Sequence, residues 1–183
     1  VYGNDDFDGT ENAPFLTIEQ AFSLINPNEF SPVIIHLSEG TFASSTTGED
    51  FPIIMFSNID LRGQSEEGTI LNAESSVENQ SRVIIMESCE NNMISELTIT
   101  GGGVDYSDLY SQNGGGMYLD NSHPELLNVT MFENYAINGG GMSMKESNPT
   151  LTYVTITRNE VANRGGGMAL WSSSIPTLMH VTI

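Results

Sequence analysis

Three oxygen-bearing side chains at alternate positions, Asn4, Asp6 and Asp8, stand just ahead of Gly9, the order in which the first half of a Ca2+-binding loop presents its ligands. The bidentate Glu that such a loop carries near its twelfth position is replaced by Phe15. Ca2+ is thus an optional ligand in this reading, and a solvated acidic turn is the plain alternative. A second group is Asp120, Lys145 and Trp171, with Tyr118 two residues before Asp120. If these positions lie on stacked strands, alternation turns all four outward, and a strand spacing of ~4.8 Å lets the carboxylate pair with the ammonium and the ammonium reach the indole face. An outward Trp beside Tyr and polar groups is also how sugar rings are stacked. Tyr118, Asp120, Lys145 and Trp171 are the candidate ligand-binding residues, glycans the candidate ligand, and simple surface packing the alternative.

Other chemistry finds less support in the residue types. A glycosidase needs paired carboxylates roughly 5–10 Å apart; Asp120 has Lys145 and Trp171 at its own ladder position, and Glu133 aligns with Arg158. His36, His123 and His180 share no ladder, so no triad is indicated. The single Cys89 cannot close an internal disulfide, and no Cys/His spacing suggests zinc. The glycine triplets do not match a phosphate-cradling loop, because no GKS or GKT follows. No catalytic residue is assigned.

The elements that would position these groups follow from an internal repeat. Gly114-Gly115-Gly116-Met117 recurs as Gly139-Gly140-Gly141-Met142 and as Gly165-Gly166-Gly167-Met168, at spacings of 25 and 26 residues. Each run leads into an alternating stretch, a turn with Pro124, Pro149 or Pro176, and a second alternating stretch. Period-2 alternation makes these stretches strands, and so short a unit buries its apolar face only when copies stack, each strand bonding to its equivalent one coil later. The predicted architecture is all-β: a right-handed parallel β-helix with coils of about 25 residues. Three inward ladders are expected: Leu97, Val129, Val154 and Val181; Ile99, Met131, Ile156 and Ile183; Ile94, Leu126, Leu151 and Leu178. Asn113, Asn138 and Asn163, with Asn134 and Asn159, fit the corners, since Asn tolerates left-handed backbone and bonds nearby peptide groups. Thr98, Thr130, Thr155 and Thr182 form an outward file that strand propensity explains.

One domain is expected, with residues 1–30 as an N-terminal cap, 31–100 as irregular first coils, 101–113 as an inserted loop and 114–183 as regular coils. The loop holds Asp105, Tyr106, Asp108 and Tyr110. Thr17-Ile18-Glu19-Gln20 is a capping-box pattern, and Ile18, Ala21, Phe22 and Ile25 recur at helical spacing before Pro27, which predicts a short helix covering the end of the core.

With 5 Lys and Arg against 24 Asp and Glu, a net charge of -19 repels phosphates, so nucleic acid is not an expected partner. No apolar run approaches the ~18 residues of a membrane-spanning helix, and no leader-like segment opens the chain. The start at Val1 and the mid-strand look of Val181-Thr182-Ile183 suggest a processed or excised piece of something longer.

The run Gly9-Thr10-Glu11-Asn12-Ala13-Pro14-Phe15-Leu16-Thr17-Ile18, then Glu39-Gly40-Thr41-Phe42 and Thr69-Ile70-Leu71, resembles the N-terminal part of pectate-lyase-like right-handed β-helix proteins. The GGGM runs and the apolar-x-x-Asn pattern at Met131 to Asn134 and Ile156 to Asn159 are similar to repeats of bacterial polymorphic outer-membrane proteins. These resemblances imply a secreted or cell-surface module with a structural, adhesive or filament-forming role, whose partners are glycans or neighbouring copies of the same protein. The alternative they imply is a polysaccharide-active or glycan-binding, pectate-lyase-like protein whose catalytic residues lie outside these residues or in the 101–113 loop, an Arg or Lys base standing beside acidic residues that hold Ca2+ against a uronate. Arg62, Arg82, Lys145, Arg158 and Arg164 are the available cations.

Overall fold

The computed structural model describes residues 3–105 and 112–183. Tyr106, Asp108 and Tyr110 lie outside the described residues. After one short helix, α1 (Ile18–Leu24), the chain winds as a parallel β-solenoid of about 5 turns, about 27 residues apart. The first coil carries β1 (Val33–His36), β2 (Gly40–Phe42) and β3 (Ile53–Ile54), and the second β4 (Ile59–Arg62), β5 (Thr69–Asn72) and β6 (Ile84–Glu87). The third carries β7 (Met93–Thr100) and β8 (Met117–Asp120); the fourth, β9 (Glu125–Phe132), β10 (Tyr135–Asn138) and β11 (Met142–Lys145). The fifth carries β12 (Thr150–Thr157), β13 (Glu160–Arg164) and β14 (Met168–Trp171), and β15 (Thr177–Met179) follows.

The strands pair in parallel with their counterparts on adjacent coils. One sheet runs β1-β4-β7-β9-β12-β15 with β2 and β5 joined at its side, a second runs β3-β6-β8-β11-β14, and β10 pairs β13. The register stacks Leu97 on Val129 on Val154, Ile99 on Met131 on Ile156, and Ile94 on Leu126 on Leu151 on Leu178. The bridge from Thr155 to Thr182 keeps Val181 in line with Val154. From Ile94 to Ile156 the inward ladders are as the repeat predicts and their members are buried, but at the last coil Leu178 and Ile183 are exposed and Val181 only partly buried, because no further described coil stacks on them. Full burial of each such side chain contributes about 1.5–3 kcal/mol, so a one-residue slip, which would turn a whole ladder outward, is strongly disfavoured.

The corners are built from left-handed residues that also stack. Glu96, Asn128, Tyr153 and His180 have φ of 57, 51, 54 and 54°, and each sits where its strand bends. Other corners are Asn121 with Glu146 (φ 47 and 51°) and Glu133 with Arg158 (both 54°). At the fourth corner the first glycine of each triplet takes φ of 70, 65 and 68°, and a Cβ on Gly116 would meet the Gly141 carbonyl oxygen at 2.4 Å. The triplets are thus conformational and steric in purpose, as the repeat suggests.

Polar side chains at the corners bind one coil to the next. Asn138 Nδ2 donates to Asn113 Oδ1 at 2.9 Å, and Asn163 Nδ2 to Asn138 Oδ1 at 3.0 Å. Buried Asn134 is the centre of another file: its Oδ1 accepts from Gly102 N, its Nδ2 donates to Ile99 O, and its own N–H donates to Asn159 Oδ1. A serine file that the sequence did not single out runs at a different corner, ahead of β9 and β12, with Cys89 N donating to Ser122 Oγ, Ser122 N to Ser147 Oγ and Ser147 N to Ser174 Oγ. Gly102 and Gly103 take part in the coil as well, Gly103 bridging Tyr135. The Thr file is partly covered, since Thr98 Oγ1 donates to Glu66 O and Thr130 Oγ1 to Glu66 Oε1.

Helix α1 starts at the predicted N-cap, Thr17 Oγ1 accepting from Gln20 N at 3.1 Å, but the return bond of the capping box is not made, and Gln20 Nε2 donates to Asp5 O instead. The other orphan donors of the first turn are met from a distance. Glu49 Oε2 accepts from Ile18 N at 2.8 Å and Oε1 from Glu19 N at 3.2 Å, while Asp5 Oδ1 accepts from Thr17 N at 3.0 Å. Ile18 is buried with the solenoid core, which docks the helix on the first coil.

Candidate functional site

The outward face of the second sheet carries two files of side chains. Ile85, Tyr118, Ser143 and Ala169 stack in one, and Glu87, Asp120, Lys145 and Trp171 in the next. Tyr118, Asp120, Lys145 and Trp171 are thus brought together on one face, in the register that the triplet repeat predicts.

Lys145 Nζ pairs with Asp120 Oδ2 at 2.9 Å, and Tyr118 OH lies 3.4 Å from the same oxygen. The hydrogen bond and charge of Asp120 hold the Lys145 ammonium above its usual range, while burial pushes the Tyr118 phenol up. Trp171 Nε1 donates to Ser143 Oγ at 3.2 Å, so the indole leans from its own file across the neighbouring one, anchored one coil below its backbone. Ser143 and Ala169 are buried although alternation turns them outward. The small side chains of that file leave room for the ring, and the hydrogen bond fixes its angle.

Two charged residues complete the face. The Arg82 guanidinium sits 5.0 Å from the centroid of the Tyr118 ring, and its Nε donates to Asn113 O at 2.8 Å. Glu87 lies beside Asp120 on the adjacent strand, so Asp120 does have a carboxylate neighbour, one coil before the Lys145 that the sequence places next to it. Both were hidden because the paired positions of β6 and β8, Ile84 and Met117, lie farther apart in the chain than the 25 and 26 residues of the triplet spacing. A basic residue just ahead of an alternating stretch, Arg82 before Ile84-Ile85-Met86-Glu87, was the available signal.

The remaining candidates are dispersed. Asn4 Oδ1 accepts from Asp6 N at 2.9 Å, and Asp8 Oδ1 accepts from Thr10 N and from Thr10 Oγ1 at 3.1 and 2.8 Å. The Thr10 hydroxyl, chiefly, holds the Asp8 carboxyl below its usual range. A cation at Asn4, Asp6 and Asp8 would share these oxygens with turn donors, and a Cβ on Gly9 would run into the Phe15 ring, which stands where a loop's bidentate Glu belongs. Among the described residues no three His, Cys, Asp or Glu side chains are gathered as metal ligands. His123 Nδ1 accepts from Asn148 N, and His180 stacks on Tyr153 with ring centroids 4.8 Å apart. Arg158 and Glu133 approach to 3.8 Å with both side chains largely in solvent. Among the described residues no helix is long and apolar enough to cross a membrane.

No curated protein and no solved structure matches the chain. A family model described as "Protein of unknown function (DUF1565)" matches residues 1–177, almost the whole solenoid. The parallel β-solenoid described above therefore belongs to the DUF1565 family.

Proposed function

We propose that this chain is a non-catalytic extracellular or cell-surface module with an adhesive role, a stiff β-helical stalk whose lateral face of Tyr118, Asp120, Lys145 and Trp171 takes glycans. The carrying observation is the indole of Trp171, pinned by Ser143 beside the Lys145, Asp120 and Tyr118 network. A sugar ring bound there would stack on the aromatic face and exchange hydrogen bonds with the ammonium, carboxylate and phenol around it. A ring already held in place loses little side-chain entropy on binding. The acidic surface and the likeness to pectate-lyase-like and polymorphic outer-membrane repeats support the extracellular assignment.

Retention on a glycan array tests this reading. The wild-type chain is expected to be retained on a subset of glycans, Trp171→Ala to lose that retention, and Trp171→Phe to keep part of it. Undiminished retention of Trp171→Ala would remove the site.

Glu87 beside Asp120 favours a second reading, a polysaccharide-active protein in which two carboxylates on adjacent strands serve one substrate. Incubation with pectin, alginate and neutral polysaccharides separates the two. Unsaturated products or new reducing ends that vanish in Glu87→Gln would establish the enzyme, and unchanged polymer with array retention would establish the binding module.

A further inference from the structure

Between α1 and residues 49–56 lies a cavity of about 340 Å³, at the opposite end of the solenoid from Trp171. Its apolar walls include Ile53, Ile54, Phe22 and Phe56, and the two rings meet edge to face with centroids 5.6 Å apart. Ile54 and Phe56 are each more than half exposed, so the walls open to solvent. Every charged residue among its described lining is acidic: Glu19 and Asp50 at the exposed border, and Glu49, which is 1 % exposed.

We propose that this cavity is a binding site for an organic cation with an apolar body, an aryl- or alkylammonium. Its volume lies in the range of small-ligand pockets, and apolar walls with a few convergent polar groups are the composition such pockets have. The polar groups decide the sign of the ligand. Glu49 already caps two helix N–H groups, one through each oxygen, and each carboxylate oxygen keeps a further lone pair. Burial and the negative charges of Glu19 and Asp5 make its own charge costly, and an ammonium group in the cavity would offset that cost. Phe22 and Phe56 give the walls aromatic surface, whose ring quadrupole favours a cation over a neutral head group. An anion would meet three carboxylates and no compensating base. The net charge of -19 further concentrates cations at the surface.

This inference is independent of the lateral face. Phenethylammonium, phenethyl alcohol and phenylacetate share one aryl body and differ in head-group charge, and titration of the full chain with each, followed by NMR, tests the proposal. Phenethylammonium is expected to give saturable shifts at Phe22, Ile53 and Phe56, with affinity at least roughly tenfold above that of the alcohol. Phenylacetate is expected to give none. The double variant Glu19→Gln with Asp50→Asn spares the helix cap at Glu49, and should weaken ammonium binding about tenfold while leaving the melting temperature and the alcohol affinity unchanged. Equal affinity for the three probes, no saturable binding of the ammonium, shifts confined to other parts of the acidic surface, or an unweakened double variant would each overturn it.

Discussion

Replacing Asn134 by Ala puts the coil-to-coil bonding to a quantitative test. The side chain is buried, accepts from Gly102 N at 3.0 Å, and donates to Ile99 O at 3.1 Å and Phe132 O at 3.2 Å. Truncation leaves the Gly102 amide without its acceptor, at about 1–3 kcal/mol, and removes the bonds that the two Nδ2 protons share among Ile99 O, Phe132 O and Asn159 Oδ1, at about 0.5–1.5 kcal/mol per proton. A loss near 3 kcal/mol follows, and with a urea m-value of about 2 kcal/mol per molar the midpoint should fall by about 1.5 M. Asn163→Ala is the control, since that exposed residue donates one side-chain bond to Asn138, and a shift within about 0.5 kcal/mol is expected. Unfolding should be followed by far-UV circular dichroism and by Trp171 fluorescence together, because stacked repeats can melt from one end. A midpoint for Asn134→Ala no lower than that of Asn163→Ala, with the two probes coincident, would refute the idea that buried asparagines clamp the coils.

Three further outcomes are expected. Burial raises the folded pKa of Glu49 above its ordinary 4.5, so its contribution to stability is fully present below that value and is lost as pH rises through the folded pKa. The melting temperature of wild type minus that of Glu49→Gln should therefore fall between mild acid and neutrality, and a difference that rises would contradict the burial argument. Cys89 is buried with its thiol pushed up by desolvation, so a thiol reagent should label it only as fast as the corner between β6 and β7 opens; immediate labelling of the native chain would refute this placement. If Asn4, Asp6 and Asp8 hold Ca2+, millimolar calcium should raise the melting temperature by mass action and EDTA should reverse it; no shift with either would remove the metal from the cap.

The regular coils were legible because three independent signals agree in them: the triplet spacing, the aliphatic alternation and the corner asparagines. That agreement also placed Tyr118, Asp120, Lys145 and Trp171 on one face, since register alone decides which residues share a face of parallel strands. Arg82 and Glu87 escaped because the distance from β6 to β8 differs from the regular repeat, so alignment of like residues could not reach back to them. Glu49 escaped for another reason. A carboxylate capping a helix 31 residues away leaves no periodic trace, and the local capping pattern at Thr17 accounts for only one of the donors that the first turn must satisfy. The side-on reach of Trp171 to Ser143 depends on a rotamer, which strand alternation does not specify.

Residues 63–68 occupy, between β4 and β5, the place that Glu96 alone holds in the middle of β7, yet Leu61 still faces Ile94 and Leu71 still faces Ile99. A bend made by one left-handed residue can therefore be swapped for a longer excursion without disturbing what lies above or below it. The equivalent bends at Asn128 and Tyr153 are then natural points for grafting foreign peptides, and evolution has the same freedom to change the outside of the solenoid while its interior stays untouched.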